Sequence, residues 1–151
     1  MVKQKPEETL EPVKKAKVPK SEYIPTVGRR REAVARVRLY QNGSGAITVN
    51  GKPVAEYFYG EAAKVSYLMP FEVTHTADKF DVTIKVAGGG KSGQLGAAIL
   101  GIARALEKLD KEKYRGLLKE KGLLTRDSRT RERRKVGMGG KARRKKQSPK
   151  R

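Results

Sequence analysis

The sequence predicts an α+β fold, a small sheet covered by helices, from three observations. Residues 33–40 and 80–86 alternate apolar and polar side chains, the period of a strand with one buried face. Leu95 to Leu109 instead carries its apolar residues at helical spacing. Turn residues punctuate the stretches between them, so strands and helices share one core. A chain of 151 residues holds one compact domain plus tails and is too short for two comfortable ones.

The elements follow in order. Residues 1–22 mix six lysines with four glutamates and carry Pro6, Pro12 and Pro19, the composition of a solvated, flexible N-terminal arm. The globular body is expected over residues 23–124. In "GRRREAVARVRLY", Ala33, Ala35, Val37 and Leu39 face a core, while Val34, Arg36, Arg38 and Tyr40 face away. Arg29, Arg30 and Arg31 precede this strand, which is expected to be the first. "QNGSG" supplies a turn, and "AITVN" is expected to return as the second strand of a hairpin. After a further turn at "NGKP", "VAEYFYGEAAKVSYLM" reads as helix with a break at Gly60. "KFDVTIKVA" alternates, with Phe80, Val82, Ile84 and Val86 inward and Asp81, Thr83 and Lys85 outward. Leu95, Ala98, Ile99, Ile102, Leu106 and Leu109 then form one helical stripe, and a short charged helix ends near Gly122.

Charge narrows the partners. The chain has 36 Lys+Arg against 16 Asp+Glu, a formal net charge of +20, and such an excess repels itself unless a polyanion neutralises it. Residues 125–151 alone hold 13 basic and two acidic residues. Val136, Met138 and Ala142 are the apolar side chains of this tail, too few to offset the entropy of ordering it, so alone it is expected to be disordered. As a coil it spans roughly 30 Å, and drawn straight about 90 Å. These features describe an arm that lies among the phosphates of RNA, with Arg126, Arg129, Arg131, Arg133, Arg134, Lys135, Lys141, Arg143, Arg144, Lys145 and Lys146 as contacts. A solubilising or nuclear-localisation tail is the plainer alternative.

Other partners fit poorly. No basic amphipathic helix suited to a membrane surface is present, and no apolar run is long enough to span a bilayer. With no cysteine and one histidine the chain offers no metal site of the usual kind, and no cofactor is expected. The N-terminus lacks the apolar stretch of a secretory signal, so the protein is expected to stay where it is made.

Gly88, Gly90 and Gly93 satisfy G-x-G-x-x-G between a predicted strand and helix. A dinucleotide fold would add a second parallel strand and an acidic residue after the helix, whereas Asp110 and Glu112 arrive in helical sequence. The phosphate loop of NTPases would place a glycine where Lys85 stands. Close approach of strand and helix accounts for most of these glycines, with Gly96 and Gly101 relieving crowding on the helix. The amides at the helix start, beside Lys91, remain suited to a backbone phosphate, and Lys91 and Arg104 join the candidate RNA contacts. Arg29, Arg30, Arg31, Arg36 and Arg38 complete them, as a row that follows phosphates rather than reading bases. His75 with Asp78 and Asp81 is an exposed polar loop rather than a catalytic pair. Tyr57, Phe58 and Tyr59 are expected to pack against the sheet.

Five blocks then stand in order: "GRRREAVARVRLY", "ITVNGKP", "GGGKSGQLGAAILGIARAL", "LLTRDSRTRERRKVG" and a final "KR". In this the chain, from Val27 to Arg151, resembles the ribosomal protein S nine family of the small subunit, in its bacterial or plastid form. The resemblance implies a fold like the second domain of ribosomal protein S five, with a four-stranded mixed sheet packed by helices and a left-handed crossover. It implies no enzymatic activity. It also implies a place in the head of the small subunit in the cytoplasm, bound to small-subunit ribosomal RNA and beside neighbouring ribosomal proteins of the head. In that family the tail meets the peptidyl-site tRNA, which makes Lys150 and Arg151, supported by Ser148, the tRNA-contacting candidates. Gln147, Ser148, Pro149, Lys150 and Arg151 depart from the common Gln-Phe-Ser-Lys-Arg ending by lacking its aromatic residue. An RNA-binding structural component accounts for the tail, the arginine rows and the glycine helix together. A nucleotide-dependent enzyme accounts for the loop alone, and a DNA-compacting protein for the charge alone.

Overall fold

The computed structural model describes residues 22–139. In chain order the elements are β1 (Tyr23–Arg30), β2 (Ala33–Tyr40), β3 (Ile47–Val49), β4 (Lys52–Pro53), α1 (Val54–Tyr57), α2 (Glu61–Val73), β5 (Asp81–Ala87), α3 (Lys91–Leu109) and α4 (Lys111–Glu120). The strands form one mixed sheet of five, not four, in the order β1-β2-β5-β3-β4. Helices cover one face of it, and the fold is α+β as the alternating and helical periods imply.

Two expectations about the strands are corrected. Residues 33–40 do not form the first strand: Tyr23–Arg30 precedes them as β1, pairing antiparallel with β2 from Tyr23↔Tyr40 to Arg30↔Ala33. Arg29 and Arg30 therefore lie in a strand, and Arg31 sits in the tight turn at φ 51°. The sequence hides this strand because Pro25 and Gly28 interrupt its alternation. Both are tolerated on an edge strand, where a missing amide or side chain costs the ladder little. The second correction is the hairpin after β2. Ile47–Val49 pairs not with β2 but parallel with β5, and antiparallel with the two-residue β4. β5 takes the place beside β2 because it offers seven residues in register, Val34↔Ala87 to Tyr40↔Asp81, against three from β3. The β3–β5 pair is parallel, so the chain crosses over through α1 and α2 to make it.

The turn at "NGKP" is a two-residue hairpin between β3 and β4. Asn50 and Gly51 both have positive φ, 50° and 82°, the geometry for which Asn-Gly is suited. The helical break at Gly60 is also present: the residue caps α2 at φ 98°. Asp110 caps α4, its Oδ1 accepting from the Lys113 amide at 3.2 Å.

The core joins the inner sheet face to α3. Ala33, Ala35, Val37 and Leu39 of β2 and Val82, Ile84 and Val86 of β5 are buried against Ala98, Ile102 and Leu106, while Phe80 is half-buried. Tyr40, expected to face solvent, is buried, because the Tyr23 ring lies against it at 5.8 Å on the same face. Small residues on α3 let the helix approach β1 closely. A Cβ on Gly28 would collide with the Ala97 carbonyl oxygen, and one on Gly101 would stand 2.5 Å from a Val37 methyl. Thr26 Oγ1 donates to the Gly101 carbonyl at 2.8 Å across the same seam.

Candidate nucleic-acid interface

Two cationic surfaces emerge. The first is a cleft of about 510 Å³ where the β1–β2 turn, the glycine loop, the start of α3 and the segment after α4 meet. Gly88 and Gly89 turn the chain out of β5 at φ 72° and 59°, and added side chains there would press on Glu32 and Ala33. The glycines thus serve the close approach of strand, turn and helix. The Gln94 amide donates to the Gly90 carbonyl at 3.0 Å, which leaves the amides of Lys91, Ser92 and Gly93 without intrahelical acceptors at the cleft wall. Arg30, Arg31 and Arg131 line the same cleft. Glu32 also lines it, and the Arg30 guanidinium is turned to Asp127 at 2.8 Å, so Arg31, Arg131 and the helix start are the features there suited to a phosphate.

Lys91 is partly engaged already. Its ammonium lies 3.2 Å from the Tyr57 ring centroid and is 3.4 Å from the Tyr57 carbonyl oxygen. Tyr57 in turn donates to Gln94 Oε1 at 2.9 Å, and Gln94 Nε2 donates to the Gly88 carbonyl at 3.1 Å, bracing the loop. Arg104 is likewise engaged within the fold, donating to the Val27 carbonyl at 2.9 Å and fastening α3 to the sheet edge.

The segment after α4 is joined to the body through Asp127. This carboxylate takes a two-pronged contact from Arg129, at 3.0 and 2.8 Å, accepts the Arg129 amide at 3.0 Å, and pairs with Arg30 at 2.8 Å. The Arg129 hydrogen bonds, aided by the Arg129 and Arg30 charges, hold the Asp127 carboxyl well below the usual carboxylate range. Arg126 just before it and Arg131, Arg133, Arg134 and Lys135 beyond it are exposed. Lys135 approaches Glu132 at 3.6 Å. Lys141, Arg143, Arg144, Lys145, Lys146, Ser148, Lys150 and Arg151 lie outside the described residues.

The second surface is the sheet face opposite α3. Register places Arg36 between Val27 and Lys85, and Arg38 between Pro25 and Thr83. Arg29, Arg36, Arg38 and Lys85 are all exposed, and Asp81 at the far end is tied to a loop by the amides of Ser44 and Ala46 at 2.8 and 3.0 Å. The Arg38 guanidinium rests 5.0 Å over the Tyr23 ring, which remains 43% exposed. Sequence reasoning missed Tyr23 and Lys85 as members of this surface. Lys85 carried the signal of an outward position in an alternating strand, but its place beside Arg36 depends on strand order.

The remaining candidates separate. His75 is exposed at φ 53° with Asp81 engaged elsewhere, and no cluster of metal-binding side chains occurs among the described residues. Phe58 is buried and Tyr57 half-buried, but Tyr59 departs from the expected packing and is 83% exposed.

Comparison with known proteins identifies the family. Residues 28–151 match the family model described as Ribosomal protein S9/S16. The chain is 52% identical over 121 residues to the small ribosomal subunit protein uS9 of Dehalococcoides mccartyi strain BAV1, covering 80% of this chain and 90% of that one. It is 50% identical over 113 residues to uS9 of Maridesulfovibrio salexigens, covering 75% and 85%. For uS9 of Leifsonia xyli subsp. xyli the figures are 49% over 112 residues, covering 74% and 66%. A match over so much of the chain, with the glycine loop, α3 and the basic tail all inside it, means that the protein belongs to the ribosomal protein S9/S16 family.

Proposed function

We propose that the chain is a structural, non-catalytic component of the head of the small ribosomal subunit, in bacterial cytoplasm. Its body binds ribosomal RNA there, and its tail supports the peptidyl-site tRNA. The observation that carries the RNA reading is one open cleft lined by Arg30, Arg31 and Arg131 together with the N-terminus of α3. It is reinforced by a second cationic face at Arg36, Arg38 and Lys85. Phosphates neutralise both, and each released counterion adds to affinity at low salt. Lys150 and Arg151, with Ser148, are the proposed tRNA contacts, acting by charge rather than by chemistry.

Deleting residues 147–151 is the test of the tail. The truncated chain is expected to enter small subunits normally, while tRNA leaves their peptidyl site faster. Unchanged tRNA dissociation would overturn the proposed tail role. A nucleotide enzyme would instead show saturable heat on titration with ATP or NAD, and none is expected here.

A further inference from the structure

Residues 54–81, which run from α1 through α2 into β5, oppose the charge of the rest of the molecule. They hold Glu56, Glu61, Glu72, Asp78 and Asp81 against Lys64 and Lys79, a net charge of −3 within a chain of +20. Helix α2 buries Tyr67, Pro70 and Phe71 on its inner side. Its outer side carries Ala62, Val65 and Met69 at successive helical turns, with Val65 57% and Met69 38% exposed. Tyr59, just ahead of the Gly60 cap, is the most exposed aromatic residue described, at 83%. Single exposed apolar residues are ordinary, but a row along one helix marks a surface that another molecule covers.

Nucleic acid does not suit this row. Phosphates are repelled by Glu61 and Glu72, and a sugar-phosphate chain brings little apolar surface to cover Val65 and Met69. Neither carboxylate joins an ion pair among the described residues. A protein that shares the same RNA is itself cationic, for the reason that this one is, so a net-negative apolar face selects protein over RNA.

We propose that the outer face of α2 docks a neighbouring basic protein of the small subunit. That partner covers Tyr59, Val65 and Met69 with apolar side chains and sets lysines or arginines against Glu61 and Glu72. The inference rests on the ribosomal reading above.

The experiment places photoreactive benzoylphenylalanine at position 65 of the full chain, assembles it into small subunits and irradiates them. The expected product is an RNase-resistant adduct with another subunit protein, while the same group at position 36 gives an RNase-sensitive one. An RNase-sensitive adduct at 65, an adduct within the chain or with a second copy of it, or no adduct would overturn the proposal. A double variant, Val65→Glu with Met69→Glu, is expected to lower occupancy of the crosslinked protein in subunits at least threefold. Its melting curve should match the parent's, and the affinity of the isolated chain for ribosomal RNA should stay within twofold. Unchanged occupancy, or an equal loss of RNA affinity, would also overturn it. Absence of the unmodified chain from the small-subunit peak would sink the ribosomal reading itself, a failure distinct from failed docking.

Discussion

Gly28 and Asp127 show how single residues decide what surrounds them. Gly28 lies where β1 meets α3, and a methyl group there has no room: the Ala97 carbonyl and the Gly101 amide are backbone and cannot rotate aside. Gly28→Ala should destabilise the chain by about 1–3 kcal/mol, as overpacking does. Denaturant unfolding checks this, with Gly51→Ala as a comparison that has open space but a positive φ of 82°. Asp127 acts through charge. Because its folded carboxyl is more acidic than the unfolded one, its contribution is fully present above the ordinary value of about 4. It fades only as pH falls through the lower folded value, so the contact with Arg30 and Arg129 should persist from neutral pH down to about pH 4 and fail in stronger acid. The Arg129 amide shift followed by NMR reports it, and a midpoint near 4 would contradict the assignment. Asp127→Asn should speed exchange of that amide at neutral pH.

Helix α3 is the element on which the rest is built. Its inner face alternates room for β1, at Gly101 and Ala97, with bulk for the core, at Ile102 and Leu106. Leu106→Ala should cost about 2–5 kcal/mol, since the residue is fully buried and its neighbours are held by the sheet. Denaturant unfolding measures that loss as well. Of the stripe expected from spacing, Ala98, Ile102 and Leu106 are buried in the core and Leu95 packs against it, whereas Ile99 and Leu109 are half-buried and do not belong to it. β1 was not legible, since its Pro25 and Gly28 break the local pattern and make sense only beside an edge and a helix. The partner of Ile47–Val49 was equally hidden. Which strand a segment joins is a competition between distant segments, and three residues carry little preference of their own.

Across the whole molecule, charge is sorted by face. Arg30, Arg31 and Arg131 gather at one end of α3, Arg36, Arg38 and Lys85 cover the open sheet, and the α2 side is acidic and apolar. If the open sheet follows phosphates, Arg36→Ser with Arg38→Ser should reduce the dependence of log affinity for ribosomal RNA on log salt by roughly 2. An unchanged slope would assign both arginines to a solvated surface. The row at Arg36 and Arg38 could be anticipated from alternation, but its continuation through Lys85 and Tyr23 required the sheet order.

The sequence by itself determined the fold class, the buried stripes of β2, β5 and α3, the excess of positive charge and its concentration after residue 124. These are properties of local periodicity and composition, which do not depend on what the chain meets later. Only the tertiary structure decided that the glycine loop shares a cleft with Arg30, Arg31 and Arg131, that Asp127 joins the basic segment to β1, and that α2 keeps Val65 and Met69 outward. Such juxtapositions are set by long-range strand pairing and close backbone contact, and neither is encoded within any one segment.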